Sequence, residues 1–171
     1  MNLEEFQIQG HGGMLHLRLW SPSGNPRALV FILHGYAEHG GRYTHVAEAL
    51  VEDGLAVLAS DHVGHGLSQG ERALITDFGL VVDDLGAAAS TACERLGPDL
   101  PLLLVGHSMG GLLAARFVQR WPDRATGAAF FGAVIGDWKW ARDVLSPVSY
   151  THLRAHETEA DVVCRLLVEK K

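Results

Sequence analysis

Gly106-His107-Ser108-Met109-Gly110 stands between the apolar run beginning at Leu102 and a segment, Met109 to Arg120, whose apolar residues recur at helical spacing. A strand that meets a helix through G-x-S-x-G turns sharply and throws the central serine into strained backbone space. Gly106 and Gly110 lie two residues before and after Ser108, where side chains would collide with strand and helix. Ser108 Oγ is therefore expected at the carboxyl edge of a sheet. The same turn aims N–H groups of the first helical turn at a reacting carbonyl, which makes the N–H of Met109 a candidate oxyanion donor. The bland alternative is a glycine-rich turn carrying an idle serine, and the strand-to-helix context weighs against it.

The rest of the chain supplies a matching scaffold. Alternation around Phe6 and Ile8, and again from Met14 to Trp20, predicts an antiparallel hairpin turning through Gly10 to Gly13. Ala28 to Leu33 is a continuous apolar run that suits a strand covered on both faces. Tyr43 to Asp53 reads as a helix stopped by Gly54, and Leu55 to Ser60 as a short strand. Val81, Leu85, Ala88, Ala92 and Leu96 fall at three- and four-residue steps, so Phe78 to Leu96 is a helix packed on a sheet. Leu102 to Gly106 and Ala125 to Gly132 read as two further strands on either side of the helix Met109 to Arg120. Strands alternating with helices predict an α/β domain with a mostly parallel sheet.

Composition narrows the function classes. The chain has 171 residues, 47% hydrophobic, with a net charge of −6, which repels a polyphosphate backbone and argues against a nucleic-acid partner. The start lacks a basic leader and no apolar run is long enough to span a bilayer, so a soluble cytoplasmic protein is expected. Cys93 and Cys164 fit neither a disulfide framework nor a zinc spacing.

A second oxyanion donor is expected from the loop after the strand ending at Leu33, where His34-Gly35-Tyr36-Ala37 follows, and the N–H of Tyr36 is the candidate. Glu38 and Arg42, four residues apart, can pair and stiffen that loop. His62 and His65, with His34, His39 and His107, invite a metal reading. They lack the fixed spacing that delivers ligands together, so no metal and no cofactor is expected. The alternative is a turn at the rim of the site whose polar side chains satisfy loop backbone groups.

Several motifs stand in register: His34-Gly-Tyr-Ala-Glu-His-Gly-Gly-Arg-Tyr43, Asp61-His-Val-Gly-His-Gly-Leu-Ser68, Gly70-Glu-Arg72, Asp77-Phe78 and Gly106-His-Ser-Met-Gly-Gly111. In order and spacing they resemble monoacylglycerol lipases and related lysophospholipase-like α/β-hydrolases, over roughly Phe6 to Gly136. The resemblance implies an α/β-hydrolase fold and a Ser-Asp-His esterase acting on single-chain acyl glycerols. It makes Ser108 the nucleophile and the N–H groups of Tyr36 and Met109 the oxyanion hole, with His34, Gly35, Glu38, Arg42, Gly106, His107 and Gly110 in support. Peripheral membrane contact by the full-length parent is part of the same expectation.

The triad acid and histidine should follow the serine on later strands, and the remaining chain has no room for them. The fold is thus expected to be truncated after about the sixth strand, and the chain to be an inactive fragment. Asp137, Asp143, His152 and His156 could be written as a compressed triad, although no strand returns the histidine to the sheet edge. From Pro147 to Thr158, and again over Asp161 to Lys171 apart from Val162 and Val168, the sequence resembles a translated transposase-type sequencing adapter. Residues 1–146 are therefore expected to be the N-terminal part of the hydrolase domain and 147–171 a non-native tail. A genuine amphipathic helix carrying Val162, Val163, Leu166 and Leu167 is the competing reading of that tail. Trp138 and Trp140 fall where a lid would begin. Rival functions are a non-catalytic hydrolase-like binding module, a general carboxylesterase and a proline-type aminopeptidase, since one elbow serves many chemistries.

Overall fold

A computed structural model describes residues 1–133 of the chain. Asp137, Asp143, His152 and His156, the two tryptophans at 138 and 140, Cys164, the tail and the boundary at Ser146 lie outside the described residues.

The N-terminal hairpin forms as the alternation predicts: β1 (Asn2–Gly10) pairs antiparallel with β2 (Gly13–Ser21), in a register that sets Phe6 opposite Leu17. Gly13 takes the turn with φ 122°, a conformation that suits glycine. Then follow β3 (Leu29–Leu33), a 3₁₀ turn (Gly40–Tyr43), α1 (Thr44–Glu52) and β4 (Ala56–Ser60). The chain continues through α2 (Phe78–Leu96), β5 (Leu102–His107), α3 (Met109–Arg120) and β6 (Gly127–Phe131). The long helices match the periodicity residue for residue. Elsewhere the bounds shift by a residue or two: a 3₁₀ turn precedes α1, β5 is one residue longer than expected, and β3, α1, β4 and β6 are shorter.

Among the described residues six strands run in the order β1-β2-β4-β3-β5-β6, and β2 meets β4 antiparallel while β4, β3, β5 and β6 are mutually parallel. Both faces are covered, which is why β3 reads as an unbroken apolar run. Leu29, Phe31 and Leu33 face one side with Val81, Leu85, Ala88 and Ala92 of α2 and Leu113 and Phe117 of α3. Val30 and Ile32 face the other with Ala47 and Val51 of α1. Right-handed crossovers explain this division: the step from β3 to β4 runs one way along the sheet, and the steps through α2 and α3 run the other way. The reversal leaves a crevice at the carboxyl ends of β3 and β5, where ligands bind in open α/β sheets. Among the described residues no helix is long and apolar enough to cross a membrane.

Candidate active site

Ser108 sits between β5 and α3 at φ 53° and ψ −118°, a conformation that crowds any β-carbon. The flanking glycines make room for it. A β-carbon on Gly106 would stand 2.4 Å from the Gly110 carbonyl oxygen, and one on Gly110 would stand 1.9 Å from that of Leu33. The Ser108 N–H donates to the Phe131 carbonyl at 2.8 Å, tying the elbow to β6, and the Gly111 N–H donates to the Ser108 carbonyl at 2.9 Å. Met109 opens α3, so its N–H belongs to the turn that has no acceptor within the helix. Among the described residues no hydrogen bond joins Ser108 Oγ to an imidazole.

The loop after β3 lies against this elbow. A β-carbon on Gly35 would be 3.3 Å from both Ser108 Cβ and His107 Nδ1, so the glycine allows the approach that brings the next peptide group to the serine. Ala37 then adopts φ 57°, a strained value for a residue with a side chain. Glu38 Oε2 accepts from the Gly35 N–H at 3.1 Å and from the Tyr43 hydroxyl at 2.8 Å. The His107 Nδ1 lies 3.1 Å from the Tyr43 hydroxyl oxygen and 3.4 Å from Glu38 Oε2, which makes Nδ1–H the donor to both. Glu38 Oε1 pairs with Arg42 at 3.5 Å, as the four-residue spacing anticipates. Burial pushes the Glu38 carboxyl up, yet hydrogen bonds from Tyr43, Gly35 and His107 outweigh it and hold the acid below its ordinary range. Burial and the adjoining carboxylate together raise the Tyr43 hydroxyl, which stays protonated as a donor.

His34, His62 and His65 form a buried cluster of rings. The His34 ring centroid is 3.9 Å from that of His62 and 5.4 Å from that of His65. His34 Nε2 accepts from the His62 backbone N–H at 3.0 Å, so its proton is on Nδ1, which donates to the Gly35 carbonyl at 2.7 Å. The His62 Nε2–H donates to the His34 carbonyl at 3.1 Å, and the His65 Nδ1–H to that of Val63 at 2.8 Å. Burial lowers His34 to about 4 and lowers His62 and His65 as well, so all three are neutral near pH 7. They satisfy loop backbone groups as expected, and do so as buried side chains. Among the described residues no cluster of histidine, cysteine and carboxylate side chains is arranged to hold a metal.

Sequence reasoning quoted Asp61 in a motif without seeing its part. Fully buried at the end of β4, its Oδ1 accepts from Arg18 at 3.0 Å and from the Gly40 N–H at 2.7 Å, while Oδ2 accepts from the Leu67 N–H at 2.8 Å. One carboxylate thus fixes the loop after β3 and the loop after β4 to β2. The available signal was an acid directly after a buried strand with a glycine, Gly66, five residues on; a β-carbon there would stand 2.1 Å from Asp61 Oδ2.

Strand order, elbow and loop together define an α/β-hydrolase. Residues 24–166 match the family model described as Serine aminopeptidase, S33, and the chain belongs to that family. It is 39% identical over 128 residues to the monoglyceride lipase of Rattus norvegicus, covering 75% of this chain and 42% of the relative. It is 37% identical over 145 residues to the monoacylglycerol lipase of Mycolicibacterium smegmatis, covering 84% and 50% respectively. Among solved structures, a carboxyl esterase from Bacillus coagulans superposes with a TM-score of 0.68 at 28% identity, over 76% of this chain and 44% of that one. A soluble variant of the Saccharomyces cerevisiae monoglyceride lipase shares the fold with a TM-score of 0.71 at 20% identity, over 84% and 49%. The chain spans half or less of the length of these relatives.

Proposed function

We propose that this chain is the N-terminal part of a serine ester hydrolase of monoacylglycerol-lipase type. The observation that carries the reading is Ser108 held at φ 53° between two obligatory glycines, with the Gly35 loop packed against its β-carbon. In the parent enzyme Ser108 Oγ attacks the ester carbonyl of a single-chain acyl glycerol, and a histidine oriented by an acid removes its proton. The N–H groups of Tyr36 and Met109 receive the oxyanion, the alcohol leaves, and water releases the fatty acid. In this reading the acid and the histidine sit on later strands for which the 171 residues leave no room, so this chain turns over esters orders of magnitude more slowly than the parent. Such substrates partition into membranes, so cytoplasmic placement with peripheral membrane contact belongs to the same reading.

The test starts from DNA. Amplification past the Ser146 codon in the source should reveal an open frame continuing into a lid, an acid loop and a histidine loop. Recovery of residues 147–171 from native DNA would remove the adapter reading; the family match runs into this stretch, to residue 166. The full-length product should hydrolyse monoacylglycerol and short-chain chromogenic esters in a Ser108-dependent way. The family's description favours one rival, so a proline anilide belongs in the same assay: preferential cleavage of that amide would replace the lipase reading with an aminopeptidase.

A further inference from the structure

We propose that Glu38 is a positioning residue for the oxyanion hole, holding the peptide that carries the Tyr36 N–H in register with Ser108. This rests on the serine-hydrolase reading above and adds a role for a residue that does not itself meet the reacting atoms.

The geometry lies in one oxygen. Glu38 Oε2 gathers the Gly35 N–H, the Tyr43 hydroxyl and the His107 ring, at 3.1, 2.8 and 3.4 Å. These donors come from three separate places: the loop after β3, the 3₁₀ turn before α1, and the last residue of β5. Gly35 precedes Tyr36 and His107 precedes Ser108, so the carboxylate joins the neighbour of one oxyanion donor to the neighbour of the nucleophile. Glutamine would put only a neutral amide oxygen there, a weaker acceptor than a carboxylate, and would turn its own N–H₂ donors towards the Arg42 guanidinium that the other carboxylate oxygen meets.

The loop also needs holding. Ala37 is strained at φ 57°, and such a conformation persists only where surrounding contacts over-determine it. Tyr36 lies between that strained residue and the tethered Gly35, so the tether and the strain fix the direction of its N–H. Arg42 reaches the other carboxylate oxygen, but it is 62% exposed and its pairing is solvent-screened. The bonds to Gly35, Tyr43 and His107 are the ones that fix the loop.

The experiment uses the full-length gene product, with Glu38→Gln, Tyr43→Phe and Ser108→Ala assayed on a short-chain chromogenic ester. Misaligning one oxyanion donor should lower kcat about tenfold to hundredfold for Glu38→Gln, with KM within about threefold and an unchanged thermal midpoint. Hydrogen exchange should speed up at residues 35–37 and stay slow in β3. Tyr43→Phe keeps the carboxylate and its bond to Gly35, so a smaller kcat loss of about threefold to tenfold at constant KM is expected. It carries the test should Glu38→Gln not fold. If kcat is unchanged in the folded variants while Ser108→Ala abolishes turnover, the positioning role is overturned and the serine reading stands. A Glu38→Gln variant that loses thermal stability in proportion to activity, beside an unaffected Tyr43→Phe, makes Glu38 merely structural and also overturns it. Turnover surviving in Ser108→Ala overturns the serine-hydrolase reading itself.

Discussion

The α-carbon of Gly110 is pressed against the Leu33 carbonyl so closely that a β-carbon would stand 1.9 Å from its oxygen. The start of α3 and the end of β3 thus meet backbone to backbone. That contact is what lets the serine elbow and the loop after β3 share one crevice, and no rotamer change can relieve an insertion there.

Gly110→Ala should therefore destabilise the fold by about 3 kcal/mol or more, since overpacking against two backbones leaves nothing flexible to move. Gly127→Ala is the control. Its added β-carbon would sit at an ordinary 3.4 Å from Leu103 Cδ2, and the change should stay within about 1 kcal/mol. Urea denaturation followed by tryptophan fluorescence separates the two, and equal midpoints would contradict the packing account.

Asp61 supports a second expectation. Asp61→Ala leaves the Gly40 and Leu67 N–H groups without their acceptor and the Arg18 guanidinium with only Glu5, which it meets at 3.0 Å. Breaking a buried pair in this way costs about 3–5 kcal/mol. Glu5→Ala removes the half-exposed partner of the same arginine and should cost less than about 1 kcal/mol. Thermal denaturation of the two variants should rank them in that order.

How far the sequence disclosed this follows from which forces act locally. The hairpin, α2 and α3 are set by periodicity and by turn chemistry within a few residues, and both can be seen in the chain itself. The elbow was legible for the same reason: two glycines and a strand-to-helix switch are local. Asp61 and Glu38 were harder, because their partners lie far off in sequence, Arg18 and Gly40 for one and His107 for the other, and only the crossover topology unites them. The burial of the three histidines was not legible, because spacing says nothing of depth. His62 is buried by the sheet edge and by His34, residues brought together only when β3 and β4 pair.

That cluster of histidines makes stability depend on pH. An unfolded histidine titrates near 6.5, whereas burial holds His34 near 4, so between those values the unfolded chain binds more protons than the folded one. Stability is therefore full above about pH 6.5 and falls as pH drops towards 4, by on the order of 3 kcal/mol from His34 alone. His62 and His65, lowered in the same direction, add to the slope. Urea midpoints measured at pH 7.5 and pH 5 should differ accordingly, and the difference should shrink in His34→Gln. An equal drop in that variant would assign the slope to other groups.

The last expectation concerns the nucleophile's own backbone. At φ 53° and ψ −118° the Ser108 β-carbon is strained, and strain of this kind costs about 1–3 kcal/mol. Ser108→Ala removes the hydroxyl but keeps the β-carbon, so it leaves that cost in place. Ser108→Gly removes both, and against a loss of about 0.5–1 kcal/mol from the freer unfolded chain it should still gain about 1 kcal/mol over the alanine variant. Both variants should be equally dead as hydrolases in the full-length protein, which separates the stability effect from the chemistry. Were glycine no more stable than alanine at this position, the elbow would not be a store of strain, and the left-handed backbone of Ser108 would carry no cost.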